Sequence, residues 1–157
     1  MIENLQNFAD SFPDWLQWLG VMLVSAIPFV ESYFGSVIGV AIGLGPVVAI
    51  LVAVIGNVIS MLAFVYGAGA IRDRATKNRE KATSPRRQRL KRMFDKFGVP
   101  GVSLLGQTVL PSQITSMAMV SFGANRNVVA FWQIISIILW GVLFGVLATL
   151  GVNAALR

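Results

Sequence analysis

An all-α integral membrane architecture is what this sequence predicts, and three observations carry the prediction. Hydrophobic residues make up 55% of the 157 residues and charged residues only 13%, against about 25% charged in an ordinary soluble domain. Long stretches carry no charge at all: forty residues from Ser32 to Ile71, twenty-eight from Gly98 to Asn125 and thirty from Asn127 to Leu156. The basic residues are gathered in one place. Eleven of the 13 Lys and Arg lie between Ile71 and Phe97, with only Asp73, Glu80 and Asp95 among them, a net of +8, while the rest of the chain sums to −2. A basic segment set between apolar ones reads as a cytoplasmic membrane-flanking loop and not as a nucleic-acid surface.

The elements follow in order. Residues 1–14 place Ile2, Leu5, Phe8 and Phe12 at helical spacing ahead of Trp15 and Trp18, which predicts a short interfacial helix with an aromatic anchor. Residues 15–42 are apolar but interrupted by Pro28, with Ser25, Glu31 and Ser32 beside it. Residues 46–70 form a full span: a helix needs roughly 20 apolar residues to cross, and Pro46 sits in its first turn, where a missing N–H is harmless. Residues 71–97 are the basic loop. Within it Ser84-Pro85 opens a helix whose stripe Leu90, Met93, Phe94 and Phe97 is flanked by Arg86, Arg87, Arg89 and Arg92. Such a basic amphipathic helix can contact anionic lipid headgroups; the plainer reading is a positive-inside loop with a packed stripe. Residues 99–123 are interrupted by Pro111, with Gln107, Thr108, Ser112, Gln113, Thr115 and Ser116 around it. Residues 128–151 form a second full span without internal proline.

A proline in mid-membrane frees backbone carbonyls that lipid cannot satisfy, so each interrupted segment is either a kinked span or a re-entrant hairpin. A shift of 81 to 84 residues lays one half on the other, bringing Pro28 near Pro111 and the turn at 43–46 near 124–127. The fold class predicted is therefore two inverted repeats, each an interrupted or re-entrant segment plus one full transmembrane helix, joined by a basic amphipathic cytoplasmic helix. The re-entrant reading puts both termini outside; four spans put both inside.

Glu31 is the one acid inside an apolar segment, with no Lys or Arg within ten positions. An intramembrane carboxyl is expensive to keep and marks a functional site: one that takes up and releases protons is what exchange of a cationic substrate requires. The alternative is a protonated Glu bonding carbonyls freed beside the proline. Ser25, Pro28, Asn57, Gln107, Pro111, Ser112 and Gln113 are the residues expected to line a substrate cavity, although amides at membrane depth also serve packing. Gly35, Gly39 and Gly43, and Gly141 and Gly145, repeat every four residues and predict close helix packing or self-association. With no Cys and no His, thiolate, zinc and imidazole chemistry are excluded, and no metal, cofactor or catalytic residue is expected.

The stretch Val24-Ser25-Ala26-Ile27-Pro28-Phe29-Val30-Glu31, followed by Gly35, Ala41-Ile42-Gly43-Leu44 and Gly56-Asn57, resembles the small multi-drug export proteins of bacteria, which look like distant relatives of the DedA/VTT (SNARE-associated) membrane proteins. The resemblance extends through the basic loop to Leu104-Leu105-Gly106-Gln107 and Trp140-Gly141. It implies a multi-pass protein of the bacterial inner membrane that moves a small molecule, or, after the DedA relatives, a lipid such as a polyprenyl phosphate. The second half departs from the pattern. Gln107 and Gln113 stand where DedA proteins carry arginines, and Pro111 is followed by Ser112-Gln113-Ile114 instead of Gly-Thr-Gly. Two functions are therefore expected ahead of others: a small-molecule exporter coupled to protons through Glu31, or a lipid flippase or scramblase. A non-transporting assembly factor is a third. Membrane lipids, the substrate and further copies of the chain are the expected partners.

Overall fold

The computed structural model describes residues 2–67 and 85–155, and among these every regular element is helical. The basic loop over 71–84, the last three residues of the expected first span and the side chain of Arg87 lie outside the described residues. The elements are α1 (Ile2–Asp10), α2 (Gln17–Ser25), α3 (Glu31–Ala41), α4 (Pro46–Leu62), α5 (Pro85–Leu105), α6 (Ser112–Ser121) and α7 (Arg126–Ala155). A π-helical turn, Ala63–Gly67, prolongs α4, and single 3₁₀ turns stand at Asp14–Leu16 and Gly106–Thr108.

Two helices are long and apolar enough to cross a membrane: Pro46–Gly67, 22 residues, and Arg126–Ala155, 30 residues. At 1.5 Å per residue they measure about 33 and 45 Å, against a hydrocarbon core of about 30 Å. Both keep large apolar side chains exposed, Val47, Leu51, Ile55 and Ile59 on α4 and Phe131, Leu139, Leu143 and Leu150 on α7. The remaining helices are half-length. α2 has 9 residues, α3 has 11 and α6 has 10, or about 14, 17 and 15 Å.

The chain forms two compact units: residues 1–59 with 137–157, and residues 60–136. In the first, α2 and α3 fold back side by side. Gly35 lies against Ser25 and Ala53, and Gly39 against Val21 and Ala49, an antiparallel pairing around the turn at 26–30. The interrupted segment is thus a helical hairpin and not a kinked rod. The close approaches need glycine: a Cβ on Gly56 would meet the Met22 carbonyl, and one on Gly145 would meet Ile50. Gly35, Gly39, Gly141 and Gly145 are consumed by packing inside this unit. Ala9 of α1 seats on Gly20 and joins Val21, Val24, Val30, Ile38 and Ala53 in the core. Trp15 and Trp18 stay exposed, as an interfacial anchor requires.

In the second unit α5 carries a break at Gly98 (φ 65°, ψ −166°), which separates the basic amphipathic turns from the apolar ones. Leu90 is fully buried with Val102, Met119 and Val129, and Met93 and Phe94 pack against this core. The apolar stripe is therefore largely spent on packing, with Phe97 left exposed. Gly106 lies against Thr115, so α5 and α6 also meet as a hairpin.

One local motif occurs twice. Leu44 N–H donates to Gly39 O (3.0 Å) and Ala124 N–H to Met119 O (3.1 Å), each across a glycine at positive φ, Gly43 (94°) and Gly123 (105°). These are Schellman caps, in which a residue without Cβ takes the left-handed position after the helix. Their offset is 80 residues (43 to 123). The same offset relates Ser36 Oγ donating to Ser32 O (2.6 Å) and Ser116 Oγ donating to Ser112 O (2.5 Å). The structural register is thus 80, shorter than the 81 to 84 read from hydropathy. Under it Pro28 matches Thr108, while Pro111 matches Glu31.

Candidate functional site

Glu31 is the first residue of α3 and fully buried. The turn that delivers it begins where α2 ends at Ser25, whose hydroxyl donates to Val21 O (2.7 Å). Pro28 brings no N–H to the turn. Val30 N–H and Glu31 N–H both donate to Ile27 O, at 3.1 and 3.3 Å. Phe29 (φ 75°) and Glu31 (φ 55°) are the two non-glycine residues with left-handed backbone. For an L-residue with Cβ that conformation costs about 1–2 kcal/mol. A turn that holds two such residues, one a buried acid, carries strain of the kind that clusters at functional sites.

The residues next to Glu31 are tied down. Ser32, fully buried, donates its hydroxyl to Ile137 O at 2.8 Å. Tyr33 donates to Phe29 O (3.4 Å) and its ring meets Phe144 (5.5 Å) and Trp140 (6.5 Å), which are themselves 5.9 Å apart. Asn57, on α4 in the same unit, is also fully buried. A carboxyl group, a set of three aromatic rings and several hydroxyls therefore share one unit. That inventory suits a cation with apolar substituents, since ring faces and a carboxylate both attract positive charge.

The second unit presents a different chemistry. Its turn runs from Gly106 to Pro111, and Pro111 caps α6 from an extended conformation (φ −54°, ψ 151°). Gln113, fully buried, donates from Nε2 to Ser60 Oγ (3.3 Å), and Ser112 Oγ donates to Gln113 Oε1 (3.4 Å). Gln107 donates from Nε2 to Ser136 Oγ (3.0 Å), which in turn donates to Ser103 O (2.7 Å). The pairing of Gln113 with Ser60 sits at the register of Tyr33 with Trp140, 80 residues apart at each partner.

Of the residues expected to line a cavity, Ser25, Pro28, Glu31 and Asn57 fall in the first unit and Gln107, Pro111, Ser112 and Gln113 in the second. All are buried except Pro28, which is half-buried. Arg86, Arg89 and Arg92 are exposed on α5, as headgroup contact requires. Sequence reasoning passed over Ser103, Gln133 and Ser136, all fully buried. The signal was present: Gln133 and Ser136 are two polar residues one turn apart inside an otherwise apolar span. No family model, curated protein or solved structure matches the chain.

Proposed function

We propose that this chain is a multi-pass transporter of the bacterial inner membrane that exports small organic cations in exchange for protons, with Glu31 as the coupling group. The observation that carries the reading is a fully buried carboxyl on a left-handed residue at a helix break. When Glu31 is ionised it balances a bound cation, and when protonated it releases it. Tyr33, Trp140 and Phe144 supply the apolar and ring-face contacts, and the bond from Ser32 to Ile137 holds the turn in place. The resemblance of residues 24–57 to small multi-drug export proteins points the same way.

The hairpins support a re-entrant topology. Each is about 14–17 Å deep, near half the hydrocarbon thickness, so it enters and leaves on one face. Each half then crosses once, the two halves insert with opposite orientation, and the basic loop is cytoplasmic with both termini outside. The 80-residue recurrence of caps and serine bonds supports the repeat. Two full spans per chain are few to enclose a path, which favours a homo-oligomer.

The reading is tested in proteoliposomes carrying a pH gradient, with uptake of tetraphenylphosphonium as the readout. Glu31→Gln should abolish proton-driven uptake while the protein remains folded; unchanged uptake excludes the coupling role. A second reading, a lipid flippase, is favoured by the exposed Arg86, Arg89 and Arg92. Translocation of a fluorescent anionic lipid above the rate in empty vesicles would select it.

A further inference from the structure

The second unit contains a cluster of buried polar groups with unused hydrogen-bonding capacity. Ser103 Oγ, Gln107 Oε1 and both amide atoms of Gln133 are buried and have no hydrogen-bond partner among the described residues. They belong to one neighbourhood. Ser136 accepts from Gln107 Nε2 and donates to the Ser103 carbonyl, while Gln133 stands one helical turn before Ser136 on the same face of α7. The bond to Ser136 fixes the Gln107 amide, because the Ser136 proton is already committed to Ser103 O; Gln107 Oε1 is thus left as an open acceptor.

Leaving a buried amide or hydroxyl unsatisfied is costly, and native proteins seldom tolerate several together without an occupant. The character of the unused groups selects the occupant. Gln107 and Gln133 offer acceptors, Gln133 Nε2 and the Ser103 hydroxyl offer donors, and none of the four residues is charged. A cation would satisfy only the oxygens and face the amide N–H of Gln133. An anion would satisfy only the donors. A group that both donates and accepts satisfies all of them.

We propose that Ser103, Gln107, Gln133 and Ser136 form a binding site for an uncharged hydrogen-bonding group, a hydroxyl or carboxamide, with water as the smallest member of that class. The site lies in a different unit from Glu31 and does not depend on the coupling role given to that residue. Its neutrality complements a transported cation poorly, so it serves an uncharged group of a solute or a hydration site inside the helix bundle.

The test uses the full chain in lipid nanodiscs with glutamine side chains labelled with nitrogen-15, followed by solid-state NMR magnetisation transfer from water and, separately, from carbon-13 glycerol. The Gln133 side-chain amide should receive magnetisation several-fold faster than the backbone amides of Val129 and Ile137, which are equally buried. Transfer from water alone identifies a hydration site; transfer from glycerol as well identifies a site that admits solute hydroxyls. Transfer no faster than at Val129 and Ile137 would show a dry cluster and overturn the proposal. A shift of the Gln107 and Gln133 carbonyl signals on replacing choline with sodium would also overturn it, in favour of a cation site. Gln133→Met provides an independent reading by thermal unfolding. An occupied site predicts a lower Tm than wild type, whereas a Tm equal or higher means the amide has nothing to bind.

Discussion

The Ser32 hydroxyl donates a hydrogen bond to the Ile137 carbonyl, 2.8 Å away and 105 residues along the chain. It couples the residue adjoining Glu31 to the middle of a helix long enough to span the bilayer. The bond matters because Glu31 sits in a strained turn, where the backbone needs an external restraint to hold one conformation.

Ser32→Ala removes that restraint. Interhelical hydrogen bonds in membranes contribute about 0.6 kcal/mol on average and up to ~1.7 kcal/mol, so unfolding should show a loss in that range. The loss of proton-driven uptake should be larger than the loss of stability, because the turn would relax and carry the carboxyl with it. Thermal unfolding and uptake measured on one preparation separate the two, and full uptake in a measurably destabilised protein would reduce Ser32 to a packing residue.

Phe29 tests the strain directly. It has φ 75° and is 54% exposed, so its ring contributes little to the core. Phe29→Gly removes a left-handed penalty of about 1–2 kcal/mol, offset in part by the greater freedom of glycine in the unfolded chain, ~0.5–1 kcal/mol. A modest rise in Tm is the expected outcome. Phe29→Val, β-branched in the same conformation, should lower it.

The glycines separate two causes of sensitivity. Gly43 and Gly123 have open space around them and positive φ. Alanine at either should therefore cost about 1 kcal/mol, and by nearly the same amount at both if the two caps are equivalent. Gly56 differs: a Cβ there runs into the Met22 carbonyl, which is backbone and cannot swing away. Gly56→Ala should cost more than ~3 kcal/mol, in the range of severe overpacking, and reduce the yield of folded protein. Gly141→Leu should likewise fail by misfolding, because Val54 and Ser32 occupy its space.

Much of this architecture is legible in the sequence because the governing signals are strong and local. Uncharged runs mark the two long helices, and Pro28 and Pro111 mark the broken segments. The Leu90, Met93, Phe94 stripe marks the amphipathic half of α5. The repeat register is harder, since a proline shows that a turn exists without saying which residue of the turn it occupies. Pro28 lies inside its turn and Pro111 caps a helix, so aligning one on the other misses the 80-residue offset fixed by Gly43 and Gly123. The left-handed backbone at Glu31 has no sequence signature at all: glutamate takes that conformation only when surrounding packing compels it. Gln133 and Ser136 were overshadowed by the apolar residues around them, although their spacing of three is that of one helix face.

Topology can be read without disturbing the site. The chain has no Cys, so a single cysteine introduced at Asn7 or at Asn153 is the one reactive thiol present. Both positions are exposed, Asn7 on α1 and Asn153 near the end of α7. A membrane-impermeant maleimide applied to intact cells should label both variants if the hairpins are re-entrant, because each half then crosses once. If each hairpin region instead completes a crossing, both ends fall in the cytoplasm and labelling requires permeabilised cells. A cysteine at Arg86, exposed on the basic helix, supplies the opposite control. It should stay protected in intact cells, since placing α5 outside would set a strongly basic segment against the charge asymmetry that orients membrane proteins. Labelling of Asn7 and Asn153 on opposite sides would require an odd number of crossings and defeat both topologies.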